Sequence, residues 1–144
     1  MRALSLWRPW PWAILHTPFE RRKDVENRCW AAPWIIGETV AIHAAQKVDE
    51  PAFDFIERVC GVRPPADGGP LGIVGVVRFD AMLTASSSPW FTGKIGWLIG
   101  MRQALVEPVP CPGARRLWTV PAALETLVNE RRTAVPLRLV QGGR

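Results

Sequence analysis

The run Ile73-Val74-Gly75-Val76-Val77-Arg78-Phe79 does most to limit what this chain can become. It is apolar and β-branched, the composition of a strand covered on both faces, so the remaining sequence has to supply neighbouring strands and covering layers. Such neighbours can be read on either side. Ala3–Trp7, Val25–Trp30, Thr39–Ala45, Gly96–Met101 and Trp118–Val120 are predicted strands, with Leu137–Val140 a candidate for a last one. Pro11 opens a helix through Trp12, Ile14 and Leu15 that Thr17 and Pro18 end. Asp49 caps a second, with Phe55, Ile56, Val59 and Cys60 as its buried stripe and Gly61 as its stop. Pro121 starts a third, with Leu124, Leu127 and Val128 facing inward. The Pro- and Gly-rich stretch from Val62 to Pro70 is a surface loop.

This order lacks both regular βαβ alternation and a Gly-rich phosphate loop, which argues against a doubly wound sheet. It predicts an α+β fold, a small mixed β-barrel with about three peripheral helices. A chain of 144 residues with 48% apolar content fills one core, so residues 1–144 are read as a single domain. No stretch reaches the eighteen apolar residues of a membrane span, and Arg8, Pro9 and Pro11 interrupt the opening where a signal peptide needs an apolar run. Cys29, Cys60 and Cys111 are odd in number and have no CxxC spacing, so neither a disulfide framework nor a zinc site is indicated. The expectation is a cytoplasmic protein with no membrane partner, metal or cofactor. Its oligomeric state is not readable.

Chemistry concentrates near the N-terminal third. Fifteen of the eighteen basic residues are Arg, whose planar fork suits phosphate and base edges. Trp7, Trp10, Trp12, Trp30 and Trp34 interleave with Arg8, Arg21, Arg22 and Arg28, the mixture of stacking faces and cations that single-stranded nucleic acid sites use. The strand period of two puts Glu26, Arg28 and Trp30 on one face, with Lys23 just before them. An ammonium in a partly buried cleft can act as a base, and a carboxylate can accept from an exocyclic amine or activate water. The same Glu26 and Arg28 can instead be an ion pair that stiffens the wall. His43 reads as a hydrogen-bonded strand residue or a ligand contact. Ser86, Ser87 and Ser88 have no paired His and Asp spacing for a triad. Arg115 and Arg116, then Arg131 and Arg132, face phosphate if RNA binds and are solvated charge otherwise.

The segment Lys23-Asp24-Val25-Glu26-Asn27-Arg28-Cys29-Trp30 resembles the signature of the ASCH family, and other pieces follow in order. These are Leu4-Ser5-Leu6-Trp7-Arg8-Pro9-Trp10, Val40–Ala44, Gly72–Gly75, Ser88-Pro89-Trp90-Phe91, Gly96-Trp97 and Pro108–Pro110 leading to Leu117-Trp118. The resemblance implies a PUA-like β-barrel with a cleft beside the lysine and glutamate. It implies Lys23 and Glu26 as catalytic candidates, and Arg28, Trp30, Trp7, Arg8, Trp10, His43 and Ser88 as substrate contacts. The implied partner is RNA or single-stranded nucleic acid, or a modified nucleoside. Family members are associated with RNA binding, with deacetylation of N4-acetylcytidine and with ribonuclease activity, so membership leaves function open. Glu26 stands where the deacetylating members have threonine, and Phe19-Glu20-Arg21-Arg22 stands where family members often have a glycine just before the lysine. The leading expectation is therefore a nucleic-acid-binding domain, with an amidohydrolase of acylated nucleosides as the alternative and a ribonuclease as a weaker one.

Overall fold

The computed structural model describes the backbone of residues 1–142 and side chains through residue 132. Strands β1 (Arg2–Arg8), β2 (Val25–Arg28), β3 (Thr39–Val48), β4 (Gly72–Leu83), β5 (Ile95–Val109) and β6 (Leu117–Thr119) form one mixed sheet. Their order is β2-β5-β4-β3-β1-β6. Only β1 and β3 run parallel; every other neighbouring pair is antiparallel. Helices α1 (Trp10–His16), α2 (Glu50–Cys60) and α3 (Ala122–Gly142) pack around it. The α+β class and the three helices are as the sequence predicts. Among the described residues, no helix is long and apolar enough to cross a membrane.

Two of the strands are much longer than expected. β4 extends to Leu83 and β5 to Val109, because pairing shifts at Ile73/Gly75, Arg78/Phe79 and Phe79/Ala81 let the ladder bend without breaking. The Leu137–Val140 stretch, a candidate for a last strand or a trailing end, falls inside α3.

The sheet has an apolar layer on each face. Leu4, Leu6, Val40, Ile42, Val77, Phe79 and Trp97 pack with Ile14 and Leu15 of α1 on one side. The alternate residues Ala3, Ala41, Ile73 and Val76 meet Val120 and Val128 on the other. A third cluster joins Ala13, Val25 and Trp90 to Ala52, Ile56 and Cys60 of α2. The sheet is thus covered on both faces, as the Ile73–Phe79 composition requires.

Gly75 lies directly against Leu15 of α1. A Cβ there would lie 2.5 Å from both methyls of Leu15 and 2.9 Å from the Gln103 carbonyl oxygen. The carbonyl belongs to the paired strand and cannot step aside. Gly75→Ala is expected to cost about 2 kcal/mol in urea denaturation, the scale of overpacking a filled core. An unchanged midpoint would show that α1 does not rest on β4 as described.

Candidate functional site

β2 pairs with β5 so that Glu26 stands opposite Trp97 and Arg28 opposite Ile95. Trp97 is fully buried in the first apolar layer, so Glu26 and Arg28 emerge on that face of the sheet, as the period of two predicts. Lys23 reaches the same carboxylate from the preceding turn. Its ammonium lies 3.7 Å from Glu26 Oε1, while Arg28 Nη1 lies 3.4 Å from Glu26 Oε2. The three groups therefore converge, with one carboxylate held between two cations.

Lys23 is sealed. Its side chain is 1% exposed, against 8% for Glu26 and 23% for Arg28. Its Nζ donates to the Val25 carbonyl at 2.5 Å and sits over the rings of Trp10 and Trp90, at 4.8 and 5.6 Å from their centroids. The approach to it is fixed on all sides. Trp10 Nε1 donates to Asp49 Oδ2, Trp90 Nε1 donates to the Arg21 carbonyl, and the Lys23 N–H donates to Thr17 Oγ1. Burial pulls the Lys23 ammonium below the ordinary lysine range; the charges of Glu26 and Asp24 pull partly back. An approaching molecule meets Arg28 and the edge of Glu26 first.

Trp30 completes the mouth. It lies edge-on to Trp97 with ring centroids 4.9 Å apart, and its carbonyl accepts from Trp97 Nε1 at 3.1 Å. The Arg28 guanidinium lies 5.8 Å from its centroid. A second guanidinium, that of Arg116 from the segment before β6, lies 5.1 Å from the same centroid. The sequence offers Arg116 as a phosphate-facing or solvated charge but does not place it at Trp30, since nothing local ties residue 116 to residue 30.

The remaining expected contacts lie elsewhere. Arg8 donates to the carbonyls of Ala45, Gln46, Asp67 and Gly69, clipping the Val62–Pro70 loop to the end of β3. Ser88 Oγ donates to Asp24 Oδ1 and accepts from the Trp90 N–H, which shapes the turn that delivers Trp90. Trp7 is half exposed with Lys47 Nζ 4.2 Å from its ring centroid. His43 alternates with Ile42 and Ala44, so it points to the opposite face of the sheet from Glu26.

There His43 belongs to a relay that the sequence did not suggest. Its Nε2 faces the Cys111 carbonyl at 2.8 Å, and its Nδ1 faces Ser5 Oγ at 3.0 Å. A carbonyl only accepts, so Nε2 carries the proton; in the neutral ring Nδ1 then accepts from the Ser5 hydroxyl. Trp118 Nε1 donates to the same Ser5 oxygen at 3.0 Å. Ser5 and His43 are partners in the parallel β1–β3 register, 38 residues apart in the chain.

A cavity of about 740 Å³ opens beside this relay, walled by Ala44, Leu71, Gly72 and the Pro110–Arg115 segment. Another of about 370 Å³ is lined by Phe19, Arg22, Lys23, Ile99, Met101 and Arg102. Neither is lined by Glu26, Arg28 or Trp30. Among the described residues, no three His, Cys, Asp or Glu side chains cluster as metal ligands. No protein-family model matches the chain, and no curated protein is significantly similar to it in sequence.

Proposed function

We propose that this chain is a PUA-like domain of the ASCH kind that binds RNA or single-stranded nucleic acid, taking a base at the Glu26–Arg28–Trp30 mouth. One observation carries the reading: a carboxylate held between Lys23 and Arg28 stands beside an indole that two guanidiniums overlie. Stacking a base on an aromatic face is worth about 1 to 3 kcal/mol and tolerates any sequence. In this reading Glu26 accepts from an exocyclic amine, and the guanidiniums meet phosphate or carbonyl oxygens. Buried Lys23 holds the carboxylate in place and does not itself reach the ligand.

Titrating a labelled single-stranded RNA tests this. Affinity is expected to fall at least tenfold between about 50 and 200 mM salt, because neutralised phosphates release their counterions. Arg28→Ala is expected to weaken binding at both concentrations. Absence of binding at low salt would end the proposal.

A second reading, an amidohydrolase of acylated nucleosides, draws on one fact: burial lowers the Lys23 ammonium toward a range where a lysine can take a proton. Turnover of N4-acetylcytidine that disappears in Lys23→Met would favour it. No turnover removes it.

A further inference from the structure

We infer that the mouth selects ligands bearing a phosphate, and that Arg116 supplies its second phosphate-facing cation; this rests on the base-binding reading above. The first observation is conformational. Arg116 is at φ 57, and it is the one non-glycine residue with positive φ among the described residues. A side-chain-bearing residue is held there only where its surroundings over-determine the backbone.

Those surroundings are specific. Upstream, the Cys111 carbonyl is tied to His43 Nε2. Gly113 then lies directly on the Ser5–His43 pair: a Cβ at this position would come within 2.4 Å of Ser5 Oγ and 2.6 Å of His43 Cε1. Downstream, Leu117 enters β6 opposite Leu4, and Trp118 donates to the same Ser5 oxygen. The relay on one face of the sheet thus pins both ends of a short segment, whose last residue carries its guanidinium over Trp30 on the other face.

Charge at the mouth points the same way. Arg28 and Arg116 both overlie Trp30, and Glu26 offers a single carboxylate already engaged by Arg28 and by Lys23. Positive charge therefore remains over the ring where a base would stack. A ligand with a flat base and an adjoining anionic group matches both features, and a guanidinium fork is shaped for the oxygens of a phosphate. A neutral nucleoside uses only the ring and Glu26.

The test is calorimetric titration of the full chain with the four ribonucleosides, their 5′-monophosphates and inorganic phosphate. At low salt at least one monophosphate is expected to bind tenfold or more tighter than its nucleoside. Arg116→Ala should bring that ratio to within about twofold, by weakening monophosphate binding more than nucleoside binding. Arg116→Gly should do the same while melting no lower than the parent, since glycine adopts this backbone freely. A ratio that survives both variants overturns the inference, as does a parent that binds nucleoside and monophosphate equally; in either case the base-binding reading stands. A parent that binds nucleosides, monophosphates and RNA not at all overturns both.

Discussion

Glu26→Gln is expected to destabilise the protein by about 3 kcal/mol at neutral pH, the scale of breaking one partner out of a buried ion pair. The change is nearly isosteric, so the loss is electrostatic. It leaves the Lys23 ammonium, 1% exposed, with a carbonyl and two indole faces in place of its carboxylate. For a domain of this size the melting temperature should fall on the order of 10 °C. The sign of the pH dependence is fixed by the same geometry. Lys23 is already held below its ordinary value of 10.5 by burial, and Glu26 is the largest influence opposing that. Without the carboxylate charge it drops further. Between the folded value and 10.5 the unfolded chain binds more protons than the folded one, so stability rises with pH across that window. In the variant the window opens at lower pH, and the deficit relative to the parent narrows as pH is raised. Urea denaturation at pH 7 and 9.5 measures both. A variant within 1 kcal/mol of the parent at pH 7, or a deficit that widens on going alkaline, would contradict the placement of Lys23.

Trp97→Leu should cost more, about 4 kcal/mol by chemical denaturation, the range for truncating a large aromatic in a core. Trp97 is wholly buried, meets Trp30 and Phe79 edge-to-face at 4.9 and 5.3 Å, and donates to the Trp30 carbonyl. Leucine fills part of the volume but returns neither the ring contacts nor the donor. The loss should reach the mouth as well, because Trp30 is the ring that Arg28 and Arg116 overlie. RNA binding is therefore expected to weaken in the folded variant. Trp34→Ala is the contrasting change: Trp34 is 56% exposed, and its removal should shift stability by less than about 0.5 kcal/mol. Equal effects of the two substitutions would mean that Trp97 is not the support described.

Period and composition made some of this legible. Alternation through Val25, Glu26, Asn27 and Arg28 is a local property, and it correctly put Glu26 and Arg28 on one face. The helix over Glu50–Cys60 was marked by Asp49 and Gly61, although the Asp49 carboxylate turns to Trp10 Nε1 and not to the helix N–H groups. Burial of Lys23 was not legible, because two of its walls, Trp10 and Trp90, come from segments remote in the chain from it and from each other. Arg8 looked ligand-facing among its tryptophans, since nothing near it announces that the Val62–Pro70 loop folds over its donors. The relay of Ser5 with His43 follows from a parallel pairing across an intervening helix and strand, which no local pattern encodes.

The place of β1 in the sheet has a consequence for how the chain is made. β1 is the first of the described strands in chain order, yet it is sandwiched between β3 and β6, and β6 is the last of them. Until Leu117–Thr119 emerge, a nascent chain holds β1 with one ladder of backbone donors and acceptors unmet. Completion of the sheet is thus deferred until β6 has emerged, and a ribosome stalled upstream of β6 would display that open edge to its neighbours.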